Sequence, residues 1–275
     1  MRANQLLASA RYVPLLLAVL FTFIPLAVVL IASLKTEREF ATSGPFALPG
    51  NWLNLANYVT AFTQGGMVLG FVNTVIIMSV SLVGTILLGT MAAYAIDRFE
   101  FRGRKLVLGL FLVATLIPAV TTQVATFQII NGLGLFNTRG SAILLFMGTD
   151  IVSIYIFIQY MSTISKSLDE AAMLDGANRW TIYWRIILPL LRPAIATAVI
   201  IKGIAMYNEF YIPFLYMPDS DLVTMSTSLF AFKGPFGAQW EVISAGTILV
   251  IVPTLVIFLV LQKQIYRGMT AGATK

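Results

Sequence analysis

The chain reads as an all-α, polytopic integral membrane protein with six transmembrane helices, occupying residues 1–275 as one membrane domain. Three observations predict this. Hydrophobic residues make up 58% of the 275 positions and charged residues only 11%, against roughly 25% charged in an ordinary soluble chain. Mean hydropathy is +0.86. Apolar runs of about 20 residues, the length that crosses a bilayer core, recur along the sequence. Cysteine and histidine are absent, which removes disulfides, thiolate chemistry, the usual zinc sites and histidine acid–base catalysis. A net charge of +6 could indicate nucleic acid, but no nucleic-acid partner is expected, because basic membrane proteins concentrate Lys and Arg in cytoplasmic loops.

The first apolar run, 13–34, follows Arg2 and Arg11. It is too long for a cleaved signal and has no clear small-residue cleavage site, so it reads as a retained signal-anchor span. Residues 35–67, with Pro45, Pro49, Trp52 and Tyr58, read as an extended stretch and an interfacial helix carrying aromatic rings at headgroup depth. Further spans are expected at 70–96, 106–130, 141–161, 193–216 and 241–262, with Pro118, Pro213 and Pro253 as kink positions. Between the last two spans, residues 217–240, with Asp219, Asp221, Lys233 and Gly234-Pro235-Phe236-Gly237, form an exposed loop.

Lys and Arg set the orientation because they are retained on the cytoplasmic side during insertion. With the N-terminus inside, thirteen fall on cytoplasmic segments (Arg2, Arg11, Arg98, Arg102, Arg104, Lys105, Lys166, Arg179, Arg185, Arg192, Lys263, Arg267, Lys275) and four outside (Lys35, Arg38, Arg139, Lys233). Both termini and the polar segment 162–192 are therefore expected in the cytoplasm. That segment contains Glu170-Ala171-Ala172, Asp175-Gly176, and Ile186, Leu188 and Pro189, and reads as a short helix, a glycine turn and a second helix. The alanines favour helix and let a partner come close to the backbone. Gly176 supplies a turn that a Cβ would resist, while Pro189 and Pro193 restrict the chain where it re-enters the bilayer. Glu170 is a charged handle for a basic group.

The pattern Glu-Ala-Ala, three residues, Gly, nine residues, Ile-x-Leu-Pro resembles the loop by which permease subunits of bacterial ATP-binding-cassette importers dock onto their ATPases. The resemblance extends over nearly the whole chain and is to maltose-type carbohydrate permeases. Pro25, Ser33-Leu34-Lys35, Pro49 and Asn57-Tyr58 stand in that family's order near the first span. Asn73-Thr74, Ala92-Ala93-Tyr94-Ala95, Arg98, Phe101, Gly103 and Arg104 follow, then Leu133-Gly134-Leu135 and Asn137-Thr138, and finally the tail from Arg267 to Gly272. Tyr207-Asn208-Glu209 departs from the family's Trp-Asn-Asp or Trp-Asn-Glu, keeping a ring but not the indole. With no large periplasmic insertion, the chain is similar to the smaller of the two paired permeases.

The resemblance implies a type I importer permease fold and coupling through Glu170, Ala171, Ala172, Asp175, Gly176, Ile186, Leu188 and Pro189. It implies four kinds of partner: a second homologous permease, two ATPase subunits, an extracytoplasmic sugar-binding protein and the lipid bilayer of the bacterial cytoplasmic membrane. ATP and Mg are expected on the ATPases and no cofactor on this chain, which has no Gly-x-x-x-x-Gly-Lys-Ser/Thr loop. The chain itself is expected not to be an enzyme.

Charges within spans mark polar paths or paired contacts, because an ionised group in hydrocarbon is costly. At about 1.5 Å per residue, Asp150 and Lys202 each lie roughly 14 Å from opposite ends of their spans, at similar depth in a core of about 30 Å. A pair between them follows, lining the path or bracing two helices. Tyr207, Asn208 and Glu209 offer a ring and polar groups for sugar hydroxyls, or interhelical hydrogen bonds. Gln123, with Thr121, Thr122 and Gln128, invites the same two readings. The rival classes are an importer permease for a non-sugar solute such as a polyamine or glycerol phosphate, a gradient-driven secondary transporter, which would usually show internal repeats, and a membrane enzyme, which would need clustered catalytic groups.

Overall fold

The computed structural model describes residues 2–148, 150–235 and 237–271. Of the residues marked above, Phe236, Gly272 and Lys275 lie outside the described residues, as do the side chains of Arg2, Arg11, Lys263 and the tail from Arg267. The chain divides into two compact units, Met1–Val68 with Thr227–Leu255 and Leu69–Ser226 with Val256–Lys275.

In the first unit, helix α1 (Arg2–Ser33) ends where Ser33, Leu34 and Lys35 turn the chain out of the apolar run. A helix end leaves carbonyls without partners, and two asparagines supply donors. Asn57 Nδ2 donates to the carbonyls of Ser33 (2.8 Å) and Lys35 (2.7 Å), and Asn54 Nδ2 to that of Leu34 (3.2 Å). The Ser33 hydroxyl meets the Tyr58 hydroxyl at 2.7 Å, and buried Lys35 donates to Ser43 Oγ and the Gly44 carbonyl, each at 2.9 Å. Ser33, Leu34, Lys35, Asn57 and Tyr58 thus form one structural knot between α1 and helix α3 (Ala56–Gln64). Between them, helix α2 (Glu37–Thr42) opens with a capping box in which Thr36 and Glu39 satisfy each other's backbone N–H. The hairpin β1 (Lys233–Gly234) and β2 (Gly237–Ala238) belongs to this unit, within the exposed loop expected at 217–240.

The second unit starts near the beginning of helix α4 (Met67–Arg98). Helices α5 (Arg104–Leu116) and α6 (Gln123–Gly132) replace the continuous third span and meet at 93°. Ile117, preceding Pro118, is extended (φ −81°, ψ 115°), as the proline ring requires of its predecessor. The fourth span is α7 (Arg139–Gly148) and α8 (Ile151–Met161), meeting at 42°. Helix α9 (Ser167–Leu174) and helix α10 (Arg179–Ile182) follow, then a π turn (Tyr183–Ile187), α11 (Leu188–Leu190) and α12 (Arg192–Asn208). The fifth span, expected unbroken over 193–216, stops at Asn208. Glu209 leaves the helical region, and Oε1 of its carboxylate accepts from the N–H of Tyr211 (2.8 Å) and Ile212 (3.2 Å), starting α13 (Tyr211–Tyr216). Helix α14 (Trp240–Ala271) is the last. Among the described residues three helices are long and apolar enough to cross a membrane unbroken, and up to six spans result if each of the three bent pairs counts as one.

The residues Asn73-Thr74 and Asn137 also prove structural. Asn73 Nδ2 donates to the carbonyls of Asp221 (3.0 Å) and Val223 (2.7 Å), while its Oδ1 accepts from Arg139 Nε (2.8 Å). Thr74 Oγ1 accepts from the N–H of Met225, and Asn137, left-handed at φ 57°, accepts from the N–H of Asp219. These side chains clasp residues 219–225 to the ends of α4 and α7.

Candidate functional site

The segment 162–192 folds as expected into helix, glycine turn and helix, and its local geometry explains the spacing. Helix α9 ends in a Schellman motif. The N–H of Ala177 bonds the carbonyl of Ala172 (2.9 Å), the N–H of Gly176 bonds that of Met173 (3.0 Å), and Gly176 takes φ 82°. In that motif the left-handed residue stands four places beyond the carbonyl that closes it, so Ala172 fixes the glycine at 176. Two residues later Asn178 caps α10, its Oδ1 accepting from the N–H of Thr181 at 2.9 Å.

A helix advances about 100° per residue, so the four residues Asp169 to Ala172 cannot share one face. Glu170 and Ala171 face outward with Asp175, whereas Asp169 and Ala172 are buried. Ala172 belongs to a packed core with Ala93, Tyr94, Phe157, Met161 and Ile182. It therefore cannot offer backbone to a partner, contrary to the expectation from sequence. Ile186 and Leu188 likewise pack against this core, and Pro189 is half-buried. The outward surface is apolar instead at positions that the sequence reading passed over: Leu174 is 89% exposed and Trp180 60%, with Leu168, Met173 and Trp184 also exposed.

Beneath that surface, the end of α4 grips the segment. Arg98 Nη1 lies 2.7 Å from Asp97 Oδ2, its Nε 3.1 Å from Asp169 Oδ2, and its Nη2 donates to the Ile164 carbonyl at 3.0 Å. The Tyr183 and Thr90 hydroxyls meet at 2.8 Å, Tyr94 packs against Tyr183 and edge-on to Phe99, and the Arg179 guanidinium lies 5.2 Å above the Phe99 ring. Asp169 and Tyr183 were missed in the sequence. A signal existed for Asp169, whose spacing of three from Ala172 puts both on one helix face.

Asp150 and Lys202 come together: Oδ1 and Nζ are 3.6 Å apart. The aspartate also caps α8, accepting from the N–H and the hydroxyl of Ser153. The other candidates are not gathered into a sugar-sized site. Tyr207 is buried beside a cavity of about 10 Å³, room for roughly one water, bordered by Thr74, Phe146, Glu209 and Ser226. Asn208 is exposed and donates back to the Ile204 carbonyl at 2.9 Å, and Glu209 is occupied as the cap of α13. Gln123 is half-buried as the first residue of α6. Among the described residues no cluster of three or more Asp or Glu could hold a metal ion.

A chain of apolar helices with an intervening polar helix–turn–helix that presents an exposed apolar face is built as a membrane component. Residues 85–271 match the family described as the binding-protein-dependent transport system inner membrane component, and the chain belongs to that family. The family is one of transport permeases rather than enzymes. The chain is 30% identical over 273 residues to the melibiose/raffinose/stachyose import permease protein MelC of Bacillus subtilis, covering 97% of each chain. It is 28% identical over 273 residues to the diacetylchitobiose uptake system permease protein NgcG of Streptomyces coelicolor, covering 98% of this chain and 90% of the relative. A crystal structure of a bacterial alginate ABC transporter, in complex with an alginate pentasaccharide-bound periplasmic protein, contains a chain of the same fold. Its TM-score is 0.66 at 21% identity, over 94% of this chain and 93% of that one.

Proposed function

We propose that this chain is the permease subunit of an ATP-driven importer that carries a sugar or oligosaccharide across the bacterial cytoplasmic membrane. The observation that carries this reading is the face formed by α9 and α10. Glu170 and Ala171 stand among exposed Leu174, Met173 and Trp180, while Asp169 and Ala172 anchor the same helix from below. Apolar side chains rimmed by charge, on a rigid support, are what a protein partner buries. On this reading the partner is an ATPase subunit holding ATP and Mg, this chain binds no cofactor, and Glu170 pairs with a basic group of that partner. Relatives named for oligosaccharide import support a carbohydrate as the solute. An extracytoplasmic binding protein delivers it, and a second permease completes the path.

Both termini and the docking face lie in the cytoplasm, as the Lys and Arg distribution supports. ATP binding closes the ATPase pair and shifts the permease between two packed arrangements. Asp150 and Lys202 brace α8 to α12 in this scheme. Sugar contacts from Tyr207, Asn208 and Glu209 are the weaker reading, because those side chains already serve the fold. Co-expression with an untagged ATPase tests the proposal. The chain should retain the ATPase through detergent purification, and Glu170→Lys should release it. Full retention and unchanged transport by Glu170→Lys would remove the docking role.

A further inference from the structure

We infer that Arg98 is a positioning residue that makes the docking helix α9 and the cytoplasmic end of α4 move as one body. The inference rests on the proposed docking reading and adds to it the span that receives the motion. Arg98 is the last residue of α4, and its side chain is only 2% exposed. One planar guanidinium engages three separate pieces of chain: Asp97 on its own helix, the Ile164 carbonyl on the approach to α9, and Asp169 within α9. Asp169 has side-chain exposure of 4%, and its carboxylate finds no hydrogen bond among the described residues, so Arg98 balances its charge.

Sliding α9 along α4 would therefore leave the Asp169 carboxylate unpaired out of water and strip Arg98 of the Ile164 carbonyl, with only Asp97 still beside it, whereas moving α9 and α4 together disturbs none of these contacts. The second arm of the loop is fastened to the same helix, through Tyr183 to Thr90 and through Arg179 over Phe99 beside the end of α4. A displacement imposed on the outward face is thus delivered to α4, although Arg98 and Ile164 are 66 residues apart in the chain. A lysine could not replace the arginine, because a point ammonium cannot present donors in three fixed directions within one plane.

Because the chain has no cysteine, paired spin labels at Leu88→Cys on α4 and Ser167→Cys at the start of α9, away from the exposed apolar face, can be measured in the assembled transporter with Arg98 intact. The label distance should be the same without nucleotide and with ATP held unhydrolysed, while labels across the transporter change separation. A nucleotide-dependent change in the Leu88–Ser167 distance overturns the inference. In the same complex, Arg98→Gln, which leaves Asp169 without a partner charge, and Arg98→Lys, which keeps the charge but not the planar fork, should let that distance vary and lower transport per ATP hydrolysed about tenfold or more. The exchange Arg98→Asp with Asp169→Arg should recover part of it. Wild-type coupling ratios in either single variant also overturn the clamp, while leaving docking intact. Loss of ATPase binding by the unsubstituted chain would instead reject the proposed function.

Discussion

Gly176→Ala isolates one physical quantity, the cost of a left-handed residue. At φ 82° an alanine is strained by backbone sterics alone, since a Cβ built at this glycine has nothing within 4 Å. The left-handed region costs a Cβ-bearing residue about 1–2 kcal/mol, and no cavity or clash adds to it here. At about 1.4 kcal/mol per tenfold change, the closed turn should be populated roughly 5- to 30-fold less strongly against its open forms. The Schellman amides of Gly176 and Ala177 report this directly, because their hydrogen exchange follows local opening. In detergent or lipid discs their exchange should accelerate by roughly that factor in Gly176→Ala. It should change much less in Gly176→Asn, whose side chain tolerates the left-handed region. If alanine exchanges like wild type, or asparagine is the worse of the two, the turn is not held by the conformational freedom of glycine and the reasoning fails.

Two further outcomes follow from packing and titration. A Cβ at Gly89 on α4 would lie 2.9 Å from Cε2 of fully buried Phe157, so Gly89→Ala should cost about 1–3 kcal/mol through overpacking. The expected reading is a lower melting temperature in detergent, partly restored by adding Phe157→Leu; an unchanged melting temperature would mean that the ring yields freely. Outside the membrane, the Glu39 carboxylate is held below its ordinary pKa of 4.5, first by the Thr36 N–H and then by that of Gly50. A depressed carboxylate stabilises the fold above its ordinary pKa and loses that contribution as pH falls through the depressed one. Fluorescence of nearby Trp52 should therefore hold steady from neutrality to about pH 4.5 and change only below it, and Glu39→Gln should abolish that acid transition.

The sequence by itself determined the apolar helices, the polar helix–turn–helix between them and the need for glycine at 176. Each depends on run length, helical period or the fixed offset of a helix cap, all of which are local. Counting rise per residue also put Asp150 and Lys202 at one depth, and they stand 3.6 Å apart, although Asp150 lies at the break between α7 and α8 rather than inside one continuous helix. Only the tertiary structure decided which way the side chains of the segment 162–192 face. Asp169, Ala172, Ile186 and Leu188 turn inward because α4 and α8 supply the core against which they pack. It likewise showed that Asn57 and Asn73, noted in the sequence only for the family resemblance, and Glu209, offered there for sugar or interhelical contacts, bond to backbone groups as caps and clasps. Their partners are backbone groups left open at helix ends, and those groups become neighbours only when segments as far apart as Asn73 and Val223 meet.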